Sequence, residues 1–128
     1  MISICGSIMN AAAFRRGEAI TRLENYAPVI VEHLALVTWY PNHSPAKHWQ
    51  SELDAFTKAL TRYNTGKGNK HNFTAEIIVE TLMDVLSTNE ERDYVLIGVE
   101  SHGVVIPDQP DWDGLDKKLR EFALNVVK

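Results

Sequence analysis

The 128-residue chain has a single cysteine, Cys5, and so no internal disulfide. Its fold must be held by packing, and it suits a reducing compartment, which makes the cytoplasm the expected location. It also lacks the uninterrupted run of about 20 apolar residues that spans a bilayer. The nearest stretch, residues 26–40, contains Pro28, Glu32 and His33. The opening MISICGSIMNAAAF has no basic segment ahead of its apolar residues and is broken by Gly6, Ser7 and Asn10, so it does not read as an export signal. A soluble protein without membrane association is expected.

Positive charge is in short supply too. The formal net charge is −4, from 13 Lys and Arg against 17 Asp and Glu, so a general attraction for phosphate backbones is not expected. Nucleic acid enters only through a local cluster, Arg62, Lys67 and Lys70. The sequence GKGNK places Lys67, Lys70 and His71 ahead of a helix start, but the loop follows a helix and lacks the spacing of a phosphate-binding loop. It reads as a solvated connector, and no cofactor is expected.

The composition that remains is ordinary for a globular chain, 45% hydrophobic and 23% charged, and the length fits one domain over residues 1–128. Asn10 is placed to cap a helix over about 11–24, with Phe14, Ile20 and Leu23 along one side. Residues 28–40, PVIVEHLALVTWY, are apolar in nearly every direction. Helix is preferred over a central strand there, because ENYAP suits a corner between two helices and Pro28 fits a first turn. Ser44 and Pro45 then start a helix in which Trp49, Leu53, Phe56, Leu60 and Tyr63 share a face to about Asn64, where Gly66 closes it. Thr74 caps a helix over 75–87 with Ile78, Leu82, Val85 and Leu86 on its core side.

DYVLIGVESHGVVIPD is rich in β-branched residues around Gly103 and predicts a hairpin with strands at 94–99 and 103–106. A third strand would come from residues 2–5 or 28–40. Asp113 reads as the cap of a final helix to about 127, with Leu115, Leu119, Phe122 and Val126 inward. The expected fold class is α+β and mainly helical: about five helices packed with a small antiparallel β-hairpin.

WYPNHSPAKHW, residues 39–49, gathers aromatics and histidines at a helix boundary. His48 and Glu52 lie at i and i+4, with His43 just before and His33 as a further contributor, so a metal site that activates water for hydrolysis is chemically conceivable. No HExxH or repeated ExxH accompanies them, and an inter-helix corner wedged by Trp39, Tyr40 and Trp49 explains the stretch better. Asp108, Asp111, Asp113 and Asp116 lack the order of a calcium loop and suit turns and caps. Glu100, Ser101 and His102 are too close in sequence for a triad and read as turn polarity, and Cys5 has no catalytic context.

The charges of the 75–87 helix are sorted more sharply. Glu76, Glu80 and Asp84 stand four apart on one side, and no Lys or Arg interrupts positions 71–91. Like charges at that spacing cost a helix a few tenths of a kcal/mol each. The expected function is therefore a non-catalytic binding protein whose acidic helix docks a basic protein partner, as immunity, antitoxin or adaptor proteins of similar size and charge do. The alternative is a metal-dependent hydrolase using His43, His48 and Glu52. Aromatics left exposed at the 39–49 corner would support a homo-oligomer.

Overall fold

Residues 30–36 are buried at Ile30, Val31, His33, Leu34, Ala35 and Leu36. In a helix those positions point in all directions, so the helix that carries them must have neighbours all round. It does. The computed structural model describes residues 11–64 and 72–128, and side chains from residue 17. It contains α1 (Ala11–Trp39), α2 (Ala46–Asn64), α3 (Ala75–Asp84), α4 (Asn89–Glu100) and α5 (Trp112–Val127). Helix α1 packs against all four others, and α5 also packs against α2 and α3, whereas α4 packs chiefly against α1. No described helix is long and apolar enough to cross a membrane.

Two expectations are corrected here. The corner at ENYAP does not form: α1 runs unbroken through Pro28 for 29 residues, about 43 Å at 1.5 Å per residue. Pro28 sits on an exposed side while Leu23, Ala27, Ile30 and Val31 bury the opposite flanks, so tertiary packing outweighs the lost backbone bond. The β-hairpin does not form either. Residues 94–99 lie in α4, residues 104–107 have no regular secondary structure, and no strand occurs among the described residues, so the architecture is a helical bundle and not α+β. The 28–40 segment is helical and cannot supply a third strand; residues 2–5 lie outside the described residues.

Local chemistry explains α4. Thr88 accepts the Glu91 amide through Oγ1 at 3.1 Å, Glu90 and Glu91 occupy the positive first turn, and Val95 and Val99 bury one face four residues apart. Gly103, at φ 85°, follows the helix end and donates its N–H to the Glu100 carbonyl. What resembled a hairpin turn is a helix stop.

Other boundaries shift less. Thr74 caps α3 as expected, through a 3.3 Å bond from the Ile77 amide, although α3 ends at Asp84. The α5 cap is Asp111 rather than Asp113, its carboxylate accepting from the Gly114 amide at 2.9 Å. Asn10, Gly66, Lys67, Lys70 and His71 lie outside the described residues.

The irregular 104–111 segment, which bends at 108–109, is tied to the end of α1. Trp39 donates Nε1–H to the Asp111 carbonyl at 3.0 Å and meets the Trp112 ring edge-on at 5.3 Å; Tyr40 donates its hydroxyl to the Val105 carbonyl at 2.6 Å. Burial pushes the Tyr40 phenol above its usual value of 10.0. A raised folded value means that the stability involved is complete below pH 10 and is lost as pH climbs through the folded value. Tyr40→Phe is expected to cost about 0.5–1.5 kcal/mol near neutrality. It should also flatten the alkaline loss of stability, measured by urea unfolding on both sides of pH 10; an unchanged alkaline slope would show that another group is responsible.

Candidate functional site

The aromatic corner is built from α1, α2 and the end of α4. Trp49 is 2% exposed and forms its floor, with the His43 ring 6.4 Å and the His102 ring 6.2 Å away. His43 also meets Tyr40 edge-on at 5.2 Å. His48 Nε2 and Glu52 Oε1 are 3.6 Å apart on the exposed shoulder of α2. Among the described residues no group of three or more His, Cys, Asp or Glu side chains is placed to hold a metal ion. The histidine that enters the core is His33, 7% exposed, whose Nδ1–H donates to the Val29 carbonyl at 2.8 Å.

His33 leads to a cluster that sequence spacing did not group. Its ring lies 5.4 Å from that of His102, and His102 Nε2 is 2.7 Å from Glu32 Oε1. The Glu32 carboxylate rests over Gly98, where a Cβ would collide with it. His102 thus pairs with Glu32 across 70 residues and not with Glu100, while the Ser101 hydroxyl donates to the Gly98 carbonyl.

Gly98→Ala tests this clasp. Alanine gains about 1 kcal/mol of helix propensity over glycine, and displacing Glu32 offsets that gain in the native protein. Chemical denaturation should therefore show the full gain only when Glu32→Ala is also present. Equal gains in both backgrounds would mean that the clasp contributes nothing.

The remaining acids of the sequence reading separate. Asp111 caps α5, and Asp116 pairs with Arg120 at 3.1 Å. Glu76, Glu80 and Asp84 are all exposed on α3, and no Lys, Arg or His whose side chain is described forms an ion pair with them. Several cations are engaged elsewhere. Arg22 pairs with Glu18 at 3.7 Å and lies over Tyr63, Lys118 pairs with Glu121, and Arg92 donates Nε–H to the Leu86 carbonyl and stacks on Trp112 at 5.1 Å. Residues 72–111 hold nine of the 17 Asp and Glu but one of the 13 Lys and Arg. The rest of the chain is accordingly net cationic.

Asp84 also reaches a feature that composition could not reveal. Between α1, α3 and α4 lies a groove of two adjoining hollows. One, about 230 Å³, is lined by Pro28, Glu32, Val85, Glu91, Tyr94 and Val95. The other, about 180 Å³, is lined by Glu24, Ala27, Pro28, Thr81, Asp84, Val85 and Glu91. They share Pro28, Val85 and Glu91, so an apolar floor runs between carboxylates. Glu80 and Glu76 continue the negative line along α3 beyond it. The cleft between α1, α2 and α5 differs: its rim carries both signs, Asp54 and Glu121 with Lys118. No protein-family model, curated protein or solved structure matches the chain.

Proposed function

We propose that this chain is a non-catalytic binding protein that docks a basic protein partner on its α3 side. The observation that carries the reading is the exposed series Glu76, Glu80 and Asp84, unmatched by any described cation although the chain has cations to spare elsewhere. Glu76 suits the positive first turn of α3, but Glu80 and Asp84 stacked below it cost the helix a few tenths of a kcal/mol per like-charged pair. A cationic partner turns that cost into attraction, accelerating encounter and making it salt-sensitive. The lone Cys5, which allows no internal disulfide, fits a reducing, cytoplasmic setting.

The test uses a lysine-rich peptide as the probe, with association followed by stopped-flow fluorescence. E76K/E80K/D84K should slow association at low ionic strength by about tenfold or more and remove most of its salt dependence. All three positions are exposed, so the thermal midpoint should stay close to that of the native protein. Association unchanged by the triple variant overturns the proposal.

A further inference from the structure

We infer that the groove between α1, α3 and α4 receives a basic amphipathic helix, which rests on the basic-partner reading and specifies the partner's form. The floor is Ala27, Pro28, Val85 and Val95. Tyr94, 66% exposed on α4, lines the larger hollow and offers a ring to an occupant. The two hollows, about 230 and 180 Å³, are open to solvent, and the larger, floored by Pro28, Val85 and Val95, has room for an apolar side chain. Two hollows sharing a wall suit anchors one helical turn apart.

The charge of the occupant follows from the rim. Glu24, Glu32, Asp84 and Glu91 line the groove, and no Lys or Arg does. A backbone feature points the same way. Pro28 has no N–H, so the Glu24 carbonyl lacks its helical donor, and both residues line the smaller hollow. An acceptor without its usual partner beside the carboxylates of Glu24, Asp84 and Glu91 favours an N–H-rich, positively charged group. Tyr94 adds a ring face for a guanidinium.

The occupant's conformation follows from the walls. All three walls are helices, whose backbone groups, the Glu24 carbonyl apart, are bonded internally, so an extended peptide finds no strand edge to join. Recognition must run through side chains, and a helix presents apolar anchors on one side and Lys or Arg on its flanks without leaving its own backbone unpaired.

The experiment titrates three synthetic peptides by isothermal calorimetry: a Leu/Lys/Ala helix with leucines at i, i+3, i+4 and i+7, a scramble of identical composition, and the patterned helix with every Lys replaced by Glu. The patterned basic helix should bind about tenfold tighter than the scramble, and Tyr94→Ala should remove that advantage while leaving the scramble unaffected. D84N/E91Q should weaken the patterned helix and flatten its salt dependence. Tyr94 is exposed, so the variant keeps its fold, checked by its thermal midpoint.

Equal binding of patterned and scrambled peptides, both weakened by E76Q/E80Q, overturns the groove inference and leaves the basic-partner reading standing. Equal binding of the Lys and Glu helices, or no binding of any peptide, overturns both. Spermidine displacing the patterned helix at equal concentration overturns the inference in favour of a small polycation. Self-association of the protein alone, abolished by Tyr94→Ala in sedimentation, overturns it in favour of a second copy.

Discussion

Trp49→Ala is expected to lower the unfolding free energy by about 3–5 kcal/mol, the usual cost of removing a large aromatic from a core. Trp49 is 2% exposed and is the largest of the fully buried side chains. It anchors α2 beneath the rings of His43 and His102, which come from the α1–α2 corner and from the end of α4. Its loss leaves a void where three segments meet, and those segments cannot all close on it at once. Since a domain of this size is stable by about 5–15 kcal/mol, the variant should retain a fold with a much lower urea midpoint and an unchanged slope. Trp39→Ala, at a half-buried position with one bond to the Asp111 carbonyl, is the control and should cost less. A loss below about 1 kcal/mol for Trp49→Ala would contradict the packing described.

Asn64→Ala is the second large effect, about 2–3 kcal/mol, because it strands a buried donor. Asn64 is 1% exposed, and its Oδ1 accepts the Phe73 amide at 2.8 Å while its backbone carbonyl accepts the Asn72 amide at 2.9 Å. Phe73 is itself 1% exposed, so its N–H has no water to turn to once Oδ1 is gone. Asn72→Ala removes only the 2.6 Å bond from Nδ2 to the Tyr63 carbonyl, at a half-buried position, and should cost about 1 kcal/mol. Equilibrium denaturation of both variants checks the order. If Asn72→Ala proves the costlier, the Asn64 side chain is not the clasp that joins the end of α2 to the start of α3.

Much of the bundle was legible because its rules are local. The four-and-three spacing of Trp49, Leu53, Phe56, Leu60 and Tyr63 gave α2, the Thr74 hydroxyl marked the start of α3, and Leu115, Leu119, Phe122 and Val126 gave α5. The failures came where two local rules disagreed. Val95, Ile97 and Val99 favour strands by shape, yet Thr88-Asn89-Glu90-Glu91 is a capping-box pattern that announces a helix at the same place. The cap was the better guide, because Val95 and Val99 are also four apart and reach α1 together. Pro28 was equally ambiguous, fitting a helix start or an exposed interior position, and only burial on the far side of α1 decides between them.

The site divides in the same way. The Glu76, Glu80 and Asp84 series follows from helical spacing and was visible in advance. Its meeting with Glu24, Glu32 and Glu91 depends on where α1 lies against α3 and α4, which spacing within one element does not encode. The Glu32 to His102 pair spans 70 residues and had only Gly98, a small residue inside a helix, as an advance sign.

Helix α4 packs chiefly on α1, with Arg92 as its tie to Trp112 of α5 and to the Leu86 carbonyl after α3. An element with one packed helix neighbour detaches at a lower free energy than one packed on several sides. Amide hydrogens around Val95 to Gly98 should therefore exchange with solvent deuterium through a sub-global opening, while those of Leu34, Leu82 and Leu119 wait for complete unfolding. The most weakly moored helix is also one wall of the acid-rimmed channel, so the molecule can widen that channel without dismantling its centre.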